Sequence, residues 1–226
     1  MNKNLTGKKL GIIHAALITT RAVQKYLDEI IPEVEVVHFV DDTIQNTNFA
    51  CAPGVIPPGN YAKFVAAARS QQDYGVDLIL LACSTFNRAV EHARPMITTP
   101  LLQIDRPMMD LAVRQGTRLG LLATVPTTVP ASERLLRLAA ADAGKTVEVK
   151  TRLCSEAFAA LKAGQTEKHN ELLLADIARL SGEVDASVLA QLSMSALEPR
   201  LTSTKVPVYN SGRTAFTHIR ALLEAS

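Results

Sequence analysis

The stretch Val76–Thr85, VDLILLACST, matches Val184–Ser193, VDASVLAQLS, without a gap. LGII at Leu10–Ile13 returns as LGLL at Leu119–Leu122, each time after a basic residue. PLLQIDRPMMDLAVR from Pro100 returns loosely as PVYNSGRTAFTHIRA from Pro207. A chain that writes the same motifs twice in the same order specifies the same local structure twice, so each half must build a like unit. We therefore expect two similar lobes related by a pseudo-twofold repeat, residues 1–105 and 106–226, with the last helix free to pack back on the first lobe.

The pattern inside each repeat points to α/β. Strands are expected at Lys9–Thr19, Val34–Val40, Val76–Cys83, Pro100–Ile104, Arg118–Thr124, Val147–Leu153, Ala186–Gln191 and Val206–Asn210. Their Leu/Ile/Val content is nearly continuous rather than alternating, as in parallel strands buried on both faces. Amphipathic patterns at Arg21–Ile31, Tyr61–Asp73, Pro107–Gln115, Ala131–Ala143, Glu167–Leu180 and Thr214–Glu224 read as the flanking helices. Each lobe is thus a four-stranded, mainly parallel sheet with helices on its faces. Asp41–Asn60 reads as a long polar, then Pro/Gly-rich loop, and a loop of that length in a compact domain is often functional.

Composition excludes several partners. Basic and acidic residues, 24 and 22, are mixed along the chain without a Lys/Arg run, which argues against nucleic acid. No apolar run reaches membrane-spanning length. The basic start before a short apolar run reads as a first strand rather than a signal peptide, and Cys51, Cys83 and Cys154 are odd in number and far apart. A cytoplasmic protein follows. His38, His92, His169 and His218 show no metal-like pairing, and no GxGxxG, P-loop or GxSxG occurs, so neither metal nor cofactor is expected. A homo-oligomer is compatible with the sequence.

In open α/β sheets, ligands sit outside the carboxyl ends of the strands. Those ends hold His14, Cys83-Ser84-Thr85, Thr124 with Thr127 and Thr128, and Gln191-Leu192-Ser193. Hydroxyls and free N–H groups at helix starts suit a carboxylate. Cys83 precedes a helical stretch from about Phe86, a setting that lowers a thiol's pKa. A buried structural cysteine is the competing reading. His14 could exchange a proton near neutral pH, although a histidine satisfied by backbone bonds competes there.

ACST at a strand end resembles the first catalytic motif of the aspartate/glutamate/hydantoin racemase superfamily, Cys-Asn-Thr. LGLLATVPTTVPAS, Leu119–Ser132, is similar to the strand and threonine loop that open its second half. The resemblance implies a cofactor-independent isomerase (a racemase or epimerase) with its active site in the cleft between lobes. The substrate would be a small carboxylate or carbonyl compound: an amino acid, a hydantoin or a short-chain diacid. Carried over, Cys83 is the acid/base, and Ser84, Thr85, Thr124, Thr127, Thr128, Leu192 and Ser193 contact substrate. The second motif, Gly-Cys-Thr in the family, reads Ala190-Gln191-Leu192, so Gln191 takes the position of the second thiol. A carboxamide is not a useful acid or base near neutral pH, which leaves His14 as the stand-in. It also leaves open a single-cysteine decarboxylase or lyase, or a non-catalytic small-carboxylate binding protein.

Overall fold

The computed structural model describes residues 4–202 and 204–226. Its first half runs β1 (Lys9–His14), α1 (Ile18–Ile30), β2 (Glu35–Val40), α2 (Asp42–Phe49), α3 (Pro58–Tyr74), β3 (Leu78–Leu81), α4 (Ala89–Ala93), β4 (Leu101–Gln103) and α5 (Arg106–Gln115). The second half runs β5 (Arg118–Ala123), α6 (Thr128–Asp142), β6 (Glu148–Leu153), α7 (Ser155–Lys162), α8 (Thr166–Leu180), β7 (Ala186–Leu189), a 3-10 segment (Leu192–Arg200), β8 (Val208–Asn210) and α9 (Ser211–Ala225).

The strands form two four-stranded sheets, ordered β2-β1-β3-β4 and β6-β5-β7-β8, with every pairing parallel. The repeat holds to the residue. Leu10 pairs with Leu78 as Leu119 pairs with Ala186, and Leu81 pairs with Gln103 as Leu189 pairs with Asn210. Gln191 therefore occupies in the second lobe the place Cys83 occupies in the first. Strands β3 and β7 are buried throughout, and β1 and β5 from their second residue on; β2 and β6, expected to be buried on both faces, are instead largely exposed or half-buried because they are the sheet edges.

Each sheet is covered on both faces, and the helix after its last strand crosses to the other sheet. From α5, Met108, Met109, Ala112 and Val113 pack with Leu119 and Leu121 of β5. From α9, Phe216, Ile219 and Leu223 pack with Leu10 and Ile12 of β1 and with Tyr26 of α1. The lobes are also tied by the Arg134 guanidinium gripping both oxygens of Glu91 at 2.9 and 2.7 Å.

The crossing of α9 depends on Gly212. A Cβ there would lie 2.2 Å from Cε2 of Tyr26, a ring that is 2% exposed and stacks on Phe216. The ring packs in the core between α1 and α9, so either the ring or the helix would have to shift. Gly212→Ala is therefore expected to destabilise the fold by about 1–3 kcal/mol, the usual cost of overpacking. A urea unfolding midpoint unchanged from wild type would contradict it.

Several expectations need correction. The polar half of Asp41–Asn60 is helical, with Asp41 capping α2 by accepting a hydrogen bond from the Thr43 N–H, whereas the Pro/Gly-rich residues 50–57 form loop as expected and Pro58 stands at the start of α3. The first strand stops at His14 rather than Thr19, because the Thr19 N–H turns back to the Ala16 carbonyl to start α1. The strand read to Cys83 stops at Leu81, leaving Cys83 in the turn beyond it. Helix α7 and the 3-10 segment lie where no element was expected.

Candidate active site

One cavity opens between the lobes at the carboxyl ends of the strands, lined by Ala82, Cys83, Ser84 and Thr85 on one side and Gln191, Leu192 and Ser193 on the other. Helices complete it: Thr19 from α1, Gln45 and Phe49 from α2, Thr128 from α6, Phe158 and Leu161 from α7. Its volume is about 130 Å³, enough for a small molecule and not for a polymer. Apolar surface dominates the walls, and among the described residues Cys83 is the sole titratable side chain on them. The lobes meet at its edge through the Thr85 and Thr128 hydroxyls, 3.0 Å apart.

Cys83 has a setting different from that expected of a helix start. The helix after it, α4, begins only at Ala89, and the residues between form turns. The backbone N–H groups of Phe86 and Thr85 favour the thiolate, but burial outweighs them, and with the nearby charge of Asp105 the thiol is pushed up to about 12. The expected lowered pKa is thereby corrected. A thiolate N–H donors could stabilise is instead desolvated, because α2 closes over the strand end and Gln45 Oε1 lies 4.0 Å from Sγ.

Gln191 is held in one orientation. Its Oε1 accepts from the Thr124 backbone N–H at 2.6 Å and from the Thr124 hydroxyl at 2.8 Å. The carboxamide NH₂ is thus the end it offers to the cavity, and such a donor suits an oxygen that gains negative charge. Thr124 itself is 1% exposed and acts from behind Gln191. Thr127 does not line the cavity, and its hydroxyl is buried without a hydrogen-bond partner.

His14 is also outside the cavity. It is fully buried behind Thr19, with Nδ1 2.7 Å from the Thr19 hydroxyl and Nε2 2.9 Å from Nδ1 of His38. Burial, then the neighbouring His38, pushes it down to about 4, so the ring is neutral at physiological pH. Cys154 starts α7 away from the cavity, and Cys51 lies half-buried after α2. Sequence reasoning missed Gln45, Phe49, Phe158 and Leu161, which come from the short helices α2 and α7. It also missed Asp105, which the strand-end rule would have found one residue after Pro100–Ile104. Among the described residues no group of three or more His, Cys, Asp or Glu could hold a metal, and no helix is long and apolar enough to cross a membrane.

Comparison with known proteins agrees with this architecture. The chain resembles an aspartate racemase homologue from Pyrococcus horikoshii OT3, with a TM-score of 0.73 and 19% identity over 97% of this chain and 100% of that one. An allantoin racemase from Klebsiella pneumoniae gives 0.70 and 19% over 97% and 89%, and Picrophilus torridus aspartate racemase 0.68 and 19% over 97% and 94%. At that identity the likeness establishes the fold. No curated protein matches the chain in sequence. The Asp/Glu/Hydantoin racemase family model, however, matches residues 11–219, nearly the whole two-lobe repeat, and the chain belongs to that family of isomerase-type enzymes.

Proposed function

We propose that this enzyme moves a proton at the carbon next to a carbonyl or carboxylate of a small substrate, on one face only, with Cys83 as the acid/base. The observation that carries this reading is the lining of the cavity. Cys83 is its sole titratable group, and the equivalent place in the other lobe holds a carboxamide. Racemisation through two thiols needs an acid/base on each face of the carbon, and a carboxamide cannot serve. Gln191 instead donates its NH₂ to the substrate oxygen on which charge develops as the carbon becomes planar. The hydroxyls of Ser84, Thr85, Thr128 and Ser193 hold the remaining polar atoms.

The walls also limit the substrate. Among the described residues no Lys or Arg lines the cavity to neutralise a second carboxylate, whereas Ile18, Phe49, Val125, Phe158 and Leu161 present apolar surface. A carbonyl compound with one acidic centre and an apolar substituent, such as a substituted hydantoin, fits better than a short diacid.

Incubation of substituted hydantoins, amino acids and diacids with the enzyme in deuterated water, read by NMR, tests both points. Deuterium is expected at one carbon with the starting configuration retained, and the apolar hydantoins are expected to exchange fastest. Equal label in both enantiomers from the first turnovers would show a second working base and overturn the one-sided mechanism.

A further inference from the structure

Asp105 is a buried acid that the mechanism above leaves unused. It is 0% exposed, and neither of its carboxylate oxygens has a hydrogen-bond partner among the described residues. Native proteins rarely leave a buried ionisable group in that state without a function. Its place is fixed by the sheet. Leu81 of β3 pairs with Gln103 of β4, and the Ile104 N–H continues the ladder to the Leu81 carbonyl. Extending that register by two residues sets Asp105 beside Cys83, one strand away, and parallel neighbours are only about 4.8 Å apart.

We propose that Asp105 is a positioning residue for the Cys83 sulfur: its carboxylate, buried one strand away and unpaired, holds the sulfur as a thiol in the unliganded enzyme. A negative charge in a low-dielectric site opposes the formation of a second one next to it. The sulfur therefore rests as a thiol, and the thiolate that forms from it by losing its proton to solvent is a strong base, which takes the proton from the substrate carbon and returns it to the same face. Burial of the thiol alone would work in the same direction; Asp105 adds a contribution that itself switches with pH.

The switch is set by the surroundings of Asp105. The hydroxyls of Ser84 and Ser211 lie beside the carboxyl and favour its anion without closing a hydrogen bond to it. Burial prevails and pushes the group up to about 7. From the turn after β3 the titratable group facing it is Cys83. On its own helix Arg106 turns away to Asp110 and Asp142, and on α9 Arg213 turns to Glu29 and Glu198. On α1 the Tyr26 hydroxyl donates to Glu198. Asp105 is thus neutral below pH 7 and charged above it, with no cation among the described residues positioned to cancel the charge.

The inference rests on Cys83 being the reacting thiol, but its test needs no substrate and stands apart from the reaction proposed. Alkylation of the full-length protein by iodoacetamide, followed at the Cys83 peptide by mass spectrometry from pH 5 to pH 9, compares wild type with Asp105→Asn. The two rates are expected to agree near pH 5, where Asp105 is neutral. Above pH 7 the variant should react faster, by about tenfold at pH 8–9, corresponding to one unit in the thiol pKa. A ratio that stays constant across the range, or a variant slower than wild type at pH 8, overturns the proposal. Wild type is a second test should the variant not fold. Its rate should rise less than tenfold per pH unit around pH 7, as Asp105 ionises, and a straight tenfold-per-unit rise from pH 5 to pH 9 is equally fatal.

Discussion

Replacing Cys83 by alanine is expected to lower turnover by about 10²–10⁴-fold, the range lost when a positioned general acid/base is removed. The large effect follows from the emptiness of the site in titratable groups. With Cys83 gone, no other side chain on the cavity wall can carry a proton. His14 cannot step in, since it sits behind Thr19 outside the cavity and burial makes it a weak base. Stability should barely change, because the sulfur is a single atom at the edge of an apolar cluster, and its loss costs about 1 kcal/mol. Steady-state rates on the best substrate from the exchange screen, together with urea unfolding of the same samples, separate the two effects. A variant that keeps more than a third of wild-type turnover would remove Cys83 from the mechanism.

Position was legible in the sequence; environment was not. The repeat alone located both sheets, because strand motifs are local and parallel burial leaves unbroken apolar runs. It also placed Cys83 and Gln191 at equivalent strand ends, and the registers of the two sheets agree to the residue. The ionisation of Cys83 was misread for a physical reason. Whether backbone N–H groups or desolvation governs a thiol depends on what covers it, and the cover is α2, which reads as loop because it is short and polar. The cavity walls escaped notice for a related reason. Phe158 and Leu161 come from a helix whose role is set by how the lobes meet, a property of tertiary packing rather than of periodicity. Asp105 was visible as a residue at a strand end, but its lack of any partner emerges only once the chain is folded.

Asp105→Asn should also make the protein more stable at neutral and alkaline pH, with a gain that disappears in acid. The sign follows from linkage. Asp105 has its folded pKa raised from 3.8 to about 7, so the native state keeps a proton that the unfolded chain releases. The stability this acid contributes is complete below about pH 4 and is lost as pH rises through 7. Asparagine carries no such dependence, so the gap between variant and wild type opens between pH 4 and pH 7 and then stays level. A shift of about 3 units corresponds to roughly 4 kcal/mol, an upper figure for a site that can relax. Any fixed cost of burying the amide moves both ends of the gap equally and leaves its pH dependence intact. Urea unfolding at pH 4, 6 and 8 measures the gap, and one that does not widen with pH would mean that Asp105 is not held protonated by burial. If it does widen, the enzyme retains a destabilising acid beside its thiol, as expected where protonation of a reacting group matters more than the stability of the fold.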